Sequence, residues 1–257
     1  MPPIRITSWN VNGIRSVARK GLLEWLARCS ADIVAFQEIK AAPKQLPAPL
    51  REPRGYHAYW LPAERPGYSG VATLTRVEPE EVRAGLGDPA FDSEGRVLVT
   101  RFPAFTLYNV YVPSGTSGPE RVAHKLAFTE RLSAVLGAEL ATGTPLVVVG
   151  DLNTAHEAID LARPRENQRT SGFLPEERAA LSALLARGLV DSFRHLHPDT
   201  VAYSWWTLRA GARQRNIGWR IDYALVSTSL APRLLAAEIH TEVEGSDHCP
   251  VSVVLDV

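Results

Sequence analysis

The 257-residue chain has only two cysteines and no excess charge of either sign, with 28 Lys and Arg against 28 Asp and Glu. Cys29 and Cys249 sit in apolar stretches, LARCSADIVAF and HCPVSVVL. Two such residues exclude a disulfide framework and read as reduced core thiols. Balanced charge excludes a whole-molecule field, so a nucleic-acid partner would have to be gripped by a local basic surface. No apolar run approaches the roughly 20 residues that span a bilayer. The N-terminal MPPIRITSWN lacks the basic-then-apolar pattern of a secretion signal and any transit-peptide character. A soluble, cytoplasmic protein without a membrane partner is expected. Repeats, low-complexity tracts and charge blocks are missing too, and the Pro/Gly-rich stretches at 43–55 and 62–70 read as surface loops. One domain over 1–257 is the simplest organisation. There is no Cys-x-x-Cys or His-x-x-x-His spacing for zinc, and no Gly-x-x-x-x-Gly-Lys loop to cradle a nucleotide.

The chain is rich in strand signals. Apolar runs, several of them alternating with polar residues, occur at 4–10, 32–38, 56–61, 70–76, 96–102 and 105–112. Further runs lie at 145–151, 201–206, 221–227, 236–243 and 249–257. Helical periodicity appears at 20–29, 120–142 and 175–188, the last opening on Pro and two Glu and closing on Gly. Strands outnumber the helices that fall between them, which suits two sheets with helices outside.

The stretch LVVVGDLNTAH (146–156) shows a habit the other strands share, because it ends in two polar side chains, Asp151 and Asn153. ITSWN ends in Asn10, with Asn12 beyond it, and IVAFQE ends in Gln37 and Glu38. YNVYV carries Tyr111, WRIDY places Asp222 in an apolar run, and GSDHCP sets Asp247 and His248 before the last strand. Taken singly, each is more often a turn former or a satisfied core group than a catalyst. Together they supply carboxylates, carboxamides, a phenol and an imidazole at strand ends, with no hydroxyl or thiol nucleophile beside a base. Hard oxygen ligands bind Mg²⁺, a carboxylate deprotonates or orients water, and an imidazolium stabilises charge on a phosphate oxygen. Metal-assisted hydrolysis of a phosphoester fits best. Asp151 and Asn153, two apart, share one face if the backbone stays extended. Segment 205–220, WWTLRAGARQRNIGWR, holds four arginines, three tryptophans and no acid. Such a segment suits either a nucleic-acid surface or an exposed loop with structural tryptophans.

SWNVNGIR, FQEIK, YNVYVPSG, GDLNTAHEAIDLARP, SGFLPEER, NIGWRIDYALVS and GSDHCPVSV run in order along nearly the whole chain, and in this they resemble the exonuclease III family of abasic-site (AP) endonucleases. The resemblance implies a four-layered α/β sandwich, DNase I-like, of two packed mixed sheets with flanking helices. It implies a Mg²⁺-dependent DNA repair nuclease, with Mn²⁺ as substitute, expected as a monomer. Such enzymes cut duplex DNA 5′ of an abasic site and leave a 3′-hydroxyl, with 3′→5′ exonuclease and 3′-end-cleaning activity on blocked ends. Carried onto this chain, Glu38 is the principal metal ligand, with Asn10, Asp151, Asn153, Asp247 and His248 around the ion. Asp151 activates water, Asn153 orients it, His248 contacts the scissile phosphate, Asp222 orients His248, and Tyr111 serves the phosphate or leaving group. Asn12, Arg165, Asn167, Arg169, Trp205, Arg209, Arg213 and Trp219 meet DNA, with Trp205 and Trp219 lining a pocket for a flipped, baseless sugar. Asn12 stands where some relatives have Asp, Ser114 replaces a carboxamide, Thr170 replaces Asn, and Arg209 replaces an inserted apolar side chain. These departures bear on DNA grip and on the balance of endonuclease to exonuclease. Two other readings are a lipid phosphodiesterase and a DNA-binding module without catalysis. The 205–220 segment and the intact set of catalytic-type residues weigh against them.

Overall fold

The structure is a computed structural model that describes residues 2–257. One sheet comprises β1 (Ile4–Asn10), β2 (Ile33–Gln37), β3 (His57–Leu61), β4 (Val71–Thr75), β11 (Leu234–Ile239) and β12 (Val251–Leu255). The other comprises β5 (Glu81–Ala84), β6 (Val97–Arg101), β7 (Thr106–Tyr111), β8 (Leu146–Asp151), β9 (Leu189–Asp191) and β10 (Asp222–Ser227). Their strand orders are β11-β12-β1-β2-β4-β3 and β5-β6-β7-β8-β10-β9. Both sheets are mixed: β1 and β2 are parallel, as are β7 and β8, and the remaining pairs are antiparallel. A parallel pair needs a crossover. Here α1 (Ile14–Ala18) and α2 (Leu22–Arg28) carry the first crossover, and α5 (Pro119–Ala141) carries the second. The short α3 (Ala48–Arg51), α4 (Pro89–Asp92) and α7 (Ser192–Leu196), together with α6 (Pro175–Leu185), complete the helices.

Three apolar layers hold this together. Ile6, Ala35, Leu107, Val147, Val149, Ala224 and Val253 interlock between the sheets. Trp9, Val34 and Phe36 on the far face of the first sheet pack on Ile14, Leu22 and Leu26. Phe128, Leu132 and Leu136, one turn apart on α5, pack on Tyr108, Val110 and Val148. The result is the expected four-layered sandwich, helices on sheet on sheet on helices. β8 is buried along its whole length, as a strand covered on both faces must be.

Two polar side chains in this core pair with each other. Gln37 Nε2 donates to Asn109 Oδ1 at 2.7 Å across the inter-sheet gap, and Asn109 Nδ2 donates to the Ala72 carbonyl at 2.8 Å. Gln37 therefore joins the sheets, although by sequence it is one of the polar strand ends. Gly150 sits where a Cβ would come within 1.8 Å of the Val110 carbonyl, at φ +142°, so only glycine fits at that step of β8.

Two short edge strands, β5 and β9, have no sequence signal, and segment 201–206 is not a strand. Its backbone pairs with loops instead: Ser204 N donates to the Trp219 carbonyl and Trp206 N to that of Asp247, leaving isolated bridges at Trp205. Cys249 is buried and Cys29 half-buried, both free thiols.

Arg220, counted by sequence with a basic DNA surface, is 1% exposed. Its guanidinium meets Asp160 at 2.8 Å and Asp191 at 2.7 Å and stacks on Tyr223. Asp160 also meets Arg194 at 2.6 Å. Burial raises the Asp160 pKa, but the bonds from Arg220 and Arg194 outweigh it and hold the carboxyl below its ordinary 3.8. A depressed carboxyl contributes stability above its unfolded pKa, and that stability is lost as pH falls through the folded value. Asp160→Asn is expected to cost about 3 kcal/mol at neutral pH, since it strips a buried arginine of one of its two carboxylates. It should also flatten the loss of stability below about pH 4. Urea denaturation across that range checks both, and an unchanged acid slope would contradict the assignment.

Candidate active site

The polar strand ends converge because strand direction and register bring them to one edge of the two sheets. Asn10 closes β1, and Glu38 follows β2 beside it. Tyr111 closes β7 in register with Asp151 at the end of β8, and Asp222 opens antiparallel β10 directly opposite Asp151. His248 stands just before β12.

At the centre, Asp151 is fully buried. Its Oδ2 accepts from Asn10 Nδ2 at 2.9 Å and from Asn153 Nδ2 at 3.2 Å, and its Oδ1 accepts from the Asn153 amide at 2.8 Å. His248 Nε2 lies 3.9 Å from Asp151, while Nδ1 bonds Asp222 Oδ2 at 2.8 Å. Ser204 Oγ donates to the same Asp222 oxygen at 2.6 Å. On the other side, Glu38 accepts from Asn10 at 2.9 Å and pairs with Lys40 at 2.6 Å. Glu38, Asp151 and His248 each offer a ligand atom within 4.8 Å of the others.

The electrostatics follow from crowding carboxylates in a dry place. Burial, then repulsion from Asp222, push the Asp151 pKa up to about 7 against the pull of His248. Burial alone would lower the His248 pKa, but Asp222, Asp151 and Asp247 raise it to about 10. Glu38 is held low despite burial, because Lys40 and the Asn10 amide favour its charge. Burial and the neighbouring Glu38 and Asp151 lift the Tyr111 phenol well above 10, with Arg96 opposing. At neutral pH the site therefore holds a carboxylate poised to exchange a proton, an imidazolium and a protonated phenol. Glu38 and Asp151 present hard oxygens within 4.8 Å of each other, so the donor set fits a divalent cation such as Mg²⁺, with Lys40 beside Glu38.

The remaining sequence-derived candidates divide. Asn153 does meet Asp151, but not by strand alternation: β8 ends at Asp151 and Asn153 adopts φ 50°, a left-handed turn that asparagine tolerates. Asn10 turns its amide nitrogen to both carboxylates and its oxygen to the Asn12 N–H, so it bridges them as a donor. Asp247 gives its oxygens to Asn12 and Trp205 at 2.9 and 3.0 Å. Trp205 and Trp219 stand edge to face, 6.4 Å apart, and pack with Leu161, Phe173 and Ile221 into an apolar wall. Trp205 lies 6.4 Å from the His248 ring, so that wall borders the site. Arg165, Arg169 and Arg209 are exposed, and Asn167 is half-buried, donating to the Arg163 carbonyl at 3.0 Å. Arg213, expected at DNA, instead directs its guanidinium to the Thr241, Val243 and Ser246 carbonyls and stacks on Trp206. That position makes it a clamp on the loop before Asp247.

The family model for the endonuclease/exonuclease/phosphatase family matches residues 7–248. The chain belongs to that family. It is 43% identical over 256 residues to an exodeoxyribonuclease of Bacillus subtilis, covering 99% of this chain and all of that one. An AP endonuclease from Archaeoglobus fulgidus superposes with a TM-score of 0.88 at 32% identity, over 99% of this chain and all of that one. A 3′ phosphatase from Neisseria, solved with a product DNA hairpin, superposes with a TM-score of 0.91 at 30% identity, over 99% and 100%.

Several residues of this family member escape a sequence reading. Lys40, in FQEIK, and Ser204, in the run at 201–206, are ordinary residues with nothing to mark them as partners of Glu38 and Asp222. Arg96 lies outside every motif. It is 2% exposed, donates to the Tyr111 carbonyl at 3.1 Å and stacks 4.6 Å from the Tyr111 ring. It also lines, with Arg65, Tyr68 and Arg121, a cleft of about 550 Å³ beside Tyr111.

The His248–Asp222 pair makes a direct prediction. A raised histidine pKa contributes stability that is complete below the unfolded value and is lost as pH rises through the folded one. In metal-free protein the His248 ring should stay protonated well past pH 8 by NMR, and in Asp222→Asn it should titrate at clearly lower pH than in wild type. Wild-type titration near the ordinary 6.5 would contradict the pairing.

Proposed function

We propose that this protein is a metal-dependent DNA repair nuclease that hydrolyses the phosphodiester 5′ of abasic sites in duplex DNA, leaving a 3′-hydroxyl. With the same site it trims blocked or ordinary 3′ ends. The observation that carries the reading is Asp151 facing a protonated His248, beside Glu38, at the foot of a tryptophan-lined wall. The names of its relatives, an exodeoxyribonuclease, an AP endonuclease and a DNA-bound 3′ phosphatase, support both halves of it.

In this reading Glu38 and Asp151 would hold a Mg²⁺ ion, replaceable by Mn²⁺, which would supply Lewis-acid stabilisation of charge on the phosphate; Asn10 and Asp247 support these ligands. Asp151 orients the attacking water and takes its proton, and Asn153, tied to it, fixes that water's approach. The imidazolium of His248, held by Asp222, neutralises charge growing on a phosphate oxygen. Tyr111 keeps its proton and delivers it, or a hydrogen bond, to the leaving oxygen. Trp205 and Trp219 wall a pocket that admits a sugar without a base, whose extrusion from the stack costs least. Asn12, Arg165, Asn167, Arg169 and Arg209 contact the flanking DNA. We take the chain as one catalytic domain that acts as a monomer in the cytoplasm; no helix of the described residues is long and apolar enough to cross a membrane.

The test is cleavage of a duplex oligonucleotide bearing one abasic analogue, with Mg²⁺ or EDTA, beside an undamaged control. A single Mg²⁺-dependent cut 5′ of the lesion is expected, and no cut on either duplex would refute the reading. Asp151→Asn should lower the rate at least about a thousandfold while DNA binding persists. Arg209→Ala should reduce the salt dependence of binding by about one unit of slope, and an unchanged slope would remove Arg209 from the interface.

A further inference from the structure

No residue of the GFLPEER block is assigned a part in the chemistry, yet its second glutamate is among the most buried carboxylates of the molecule. Glu177 is 2% exposed, in the first turn of α6. Its carboxylate accepts from the Gly172 N–H, from the Leu174 N–H at 3.1 Å and from Ser171 Oγ at 2.8 Å. Those bonds are enough to cap α6 and fold the loop before it. One more comes from another element: Lys125 of α5, itself 2% exposed, places Nζ 2.7 Å from Glu177 Oε1. A helix packing on a sheet has no need of a buried ammonium, and burying one is costly unless it is paired.

The second bond of Lys125 shows what that cost secures. Nζ donates to the backbone carbonyl of Asn153 at 2.6 Å. Asn153 is the left-handed residue after β8, at φ 50°. Its amide and side chain are tied to Asp151 and to the Val112 carbonyl, so Lys125 fixes the one backbone group they leave. Between the ion pair and the apolar wall lies Gly172, where a Cβ would stand 3.3 Å from the Asn153 carbonyl and 3.1 Å from the Trp219 ring. Its carbonyl accepts from Ala155 N at 2.8 Å. A shift of the pair would therefore be transmitted to Asn153 directly.

We propose that Lys125, anchored by Glu177, is a positioning residue that sets the Asn153 carboxamide against the reacting phosphate. This rests on the proposed role of Asn153. Lys125→Met removes the ammonium and leaves Glu177 its three other donors. In abasic-site incision its kcat should fall about tenfold to a hundredfold, the penalty of a misplaced group. KM should stay within about twofold, because DNA contacts are untouched. In an Asn153→Ala background the same change should cost less than about twofold more, because what Lys125 positions is gone.

A wild-type kcat in Lys125→Met, while Asn153→Ala is crippled, would overturn the proposal. So would an equal fold-loss in both backgrounds, which would mark a general effect on stability. An inactive wild type, or a fully active Asn153→Ala, would instead refute the assigned chemistry. Circular dichroism checks folding. If Lys125→Met is unfolded, the neutral pair Lys125→Met/Glu177→Gln goes through the same cycle and is held to the same two outcomes.

Discussion

Carboxylates cannot stay ionised side by side in a dry cavity without positive charge between them, and everything at this site answers to that constraint. Asp222, Asp151 and Asp247 bear on His248, and the imidazole responds by holding its proton up to about pH 10. Lys40 does the same service for Glu38, and Asn10 lends one amide to two carboxylates. What remains uncompensated appears as the Asp151 pKa near 7. A divalent cation is the natural completion of such a set, and a phosphodiester, which brings negative charge of its own, is a substrate that needs the cation and the imidazolium together.

The fold makes this crowding possible. Two parallel strand pairs, one in each sheet, aim their carboxyl ends at the same edge, and two antiparallel neighbours return Asp222 and His248 to it. The inter-sheet core keeps those ends at fixed separation, and the Gln37–Asn109 bond resists sliding of one sheet on the other. Behind the site, arginines fix the supporting elements. Arg220 is locked between Asp160 and Asp191 at the entry to β10, Arg96 carries Tyr111, and Arg213 ties the loop that presents Asp247. Arginine suits these tasks because its fork of donors satisfies several acceptors at once.

Most of the architecture was legible in the sequence, because long apolar runs in strand and helix period leave few alternatives. The edge strands β5 and β9 were not: EVRA and LVD are too short and, in β5, too polar to show a pattern. Segment 201–206 looked like a strand because aromatic residues mimic one, but its backbone partners are loops. At the site, the polar side chains at strand ends marked most of the groups that the fold brings together, although Gln37 among them serves the inter-sheet core. The route by which Asp151 and Asn153 meet was hidden, because a left-handed backbone at asparagine leaves no trace in an alternation pattern. Composition misled in the arginine-rich segment. Arg213 and Arg220 look like DNA contacts beside tryptophan, yet both serve internal acceptors, and only Arg209 and Arg215 among the four remain exposed. Supporting residues such as Lys40, Ser204, Arg96 and Lys125 are invisible to one-dimensional reading, since their meaning lies in a partner distant along the chain.

The central claim is that the Glu38–Asp151–His248 cluster is built to take the positive charge of a divalent cation. Mn²⁺ binding to the free protein, followed by electron paramagnetic resonance, measures that charge without depending on any substrate. The expected result is a saturable site in wild type that is lost in Glu38→Gln and weakened in Asp151→Asn. Equal Mn²⁺ binding by wild type and Glu38→Gln would contradict it.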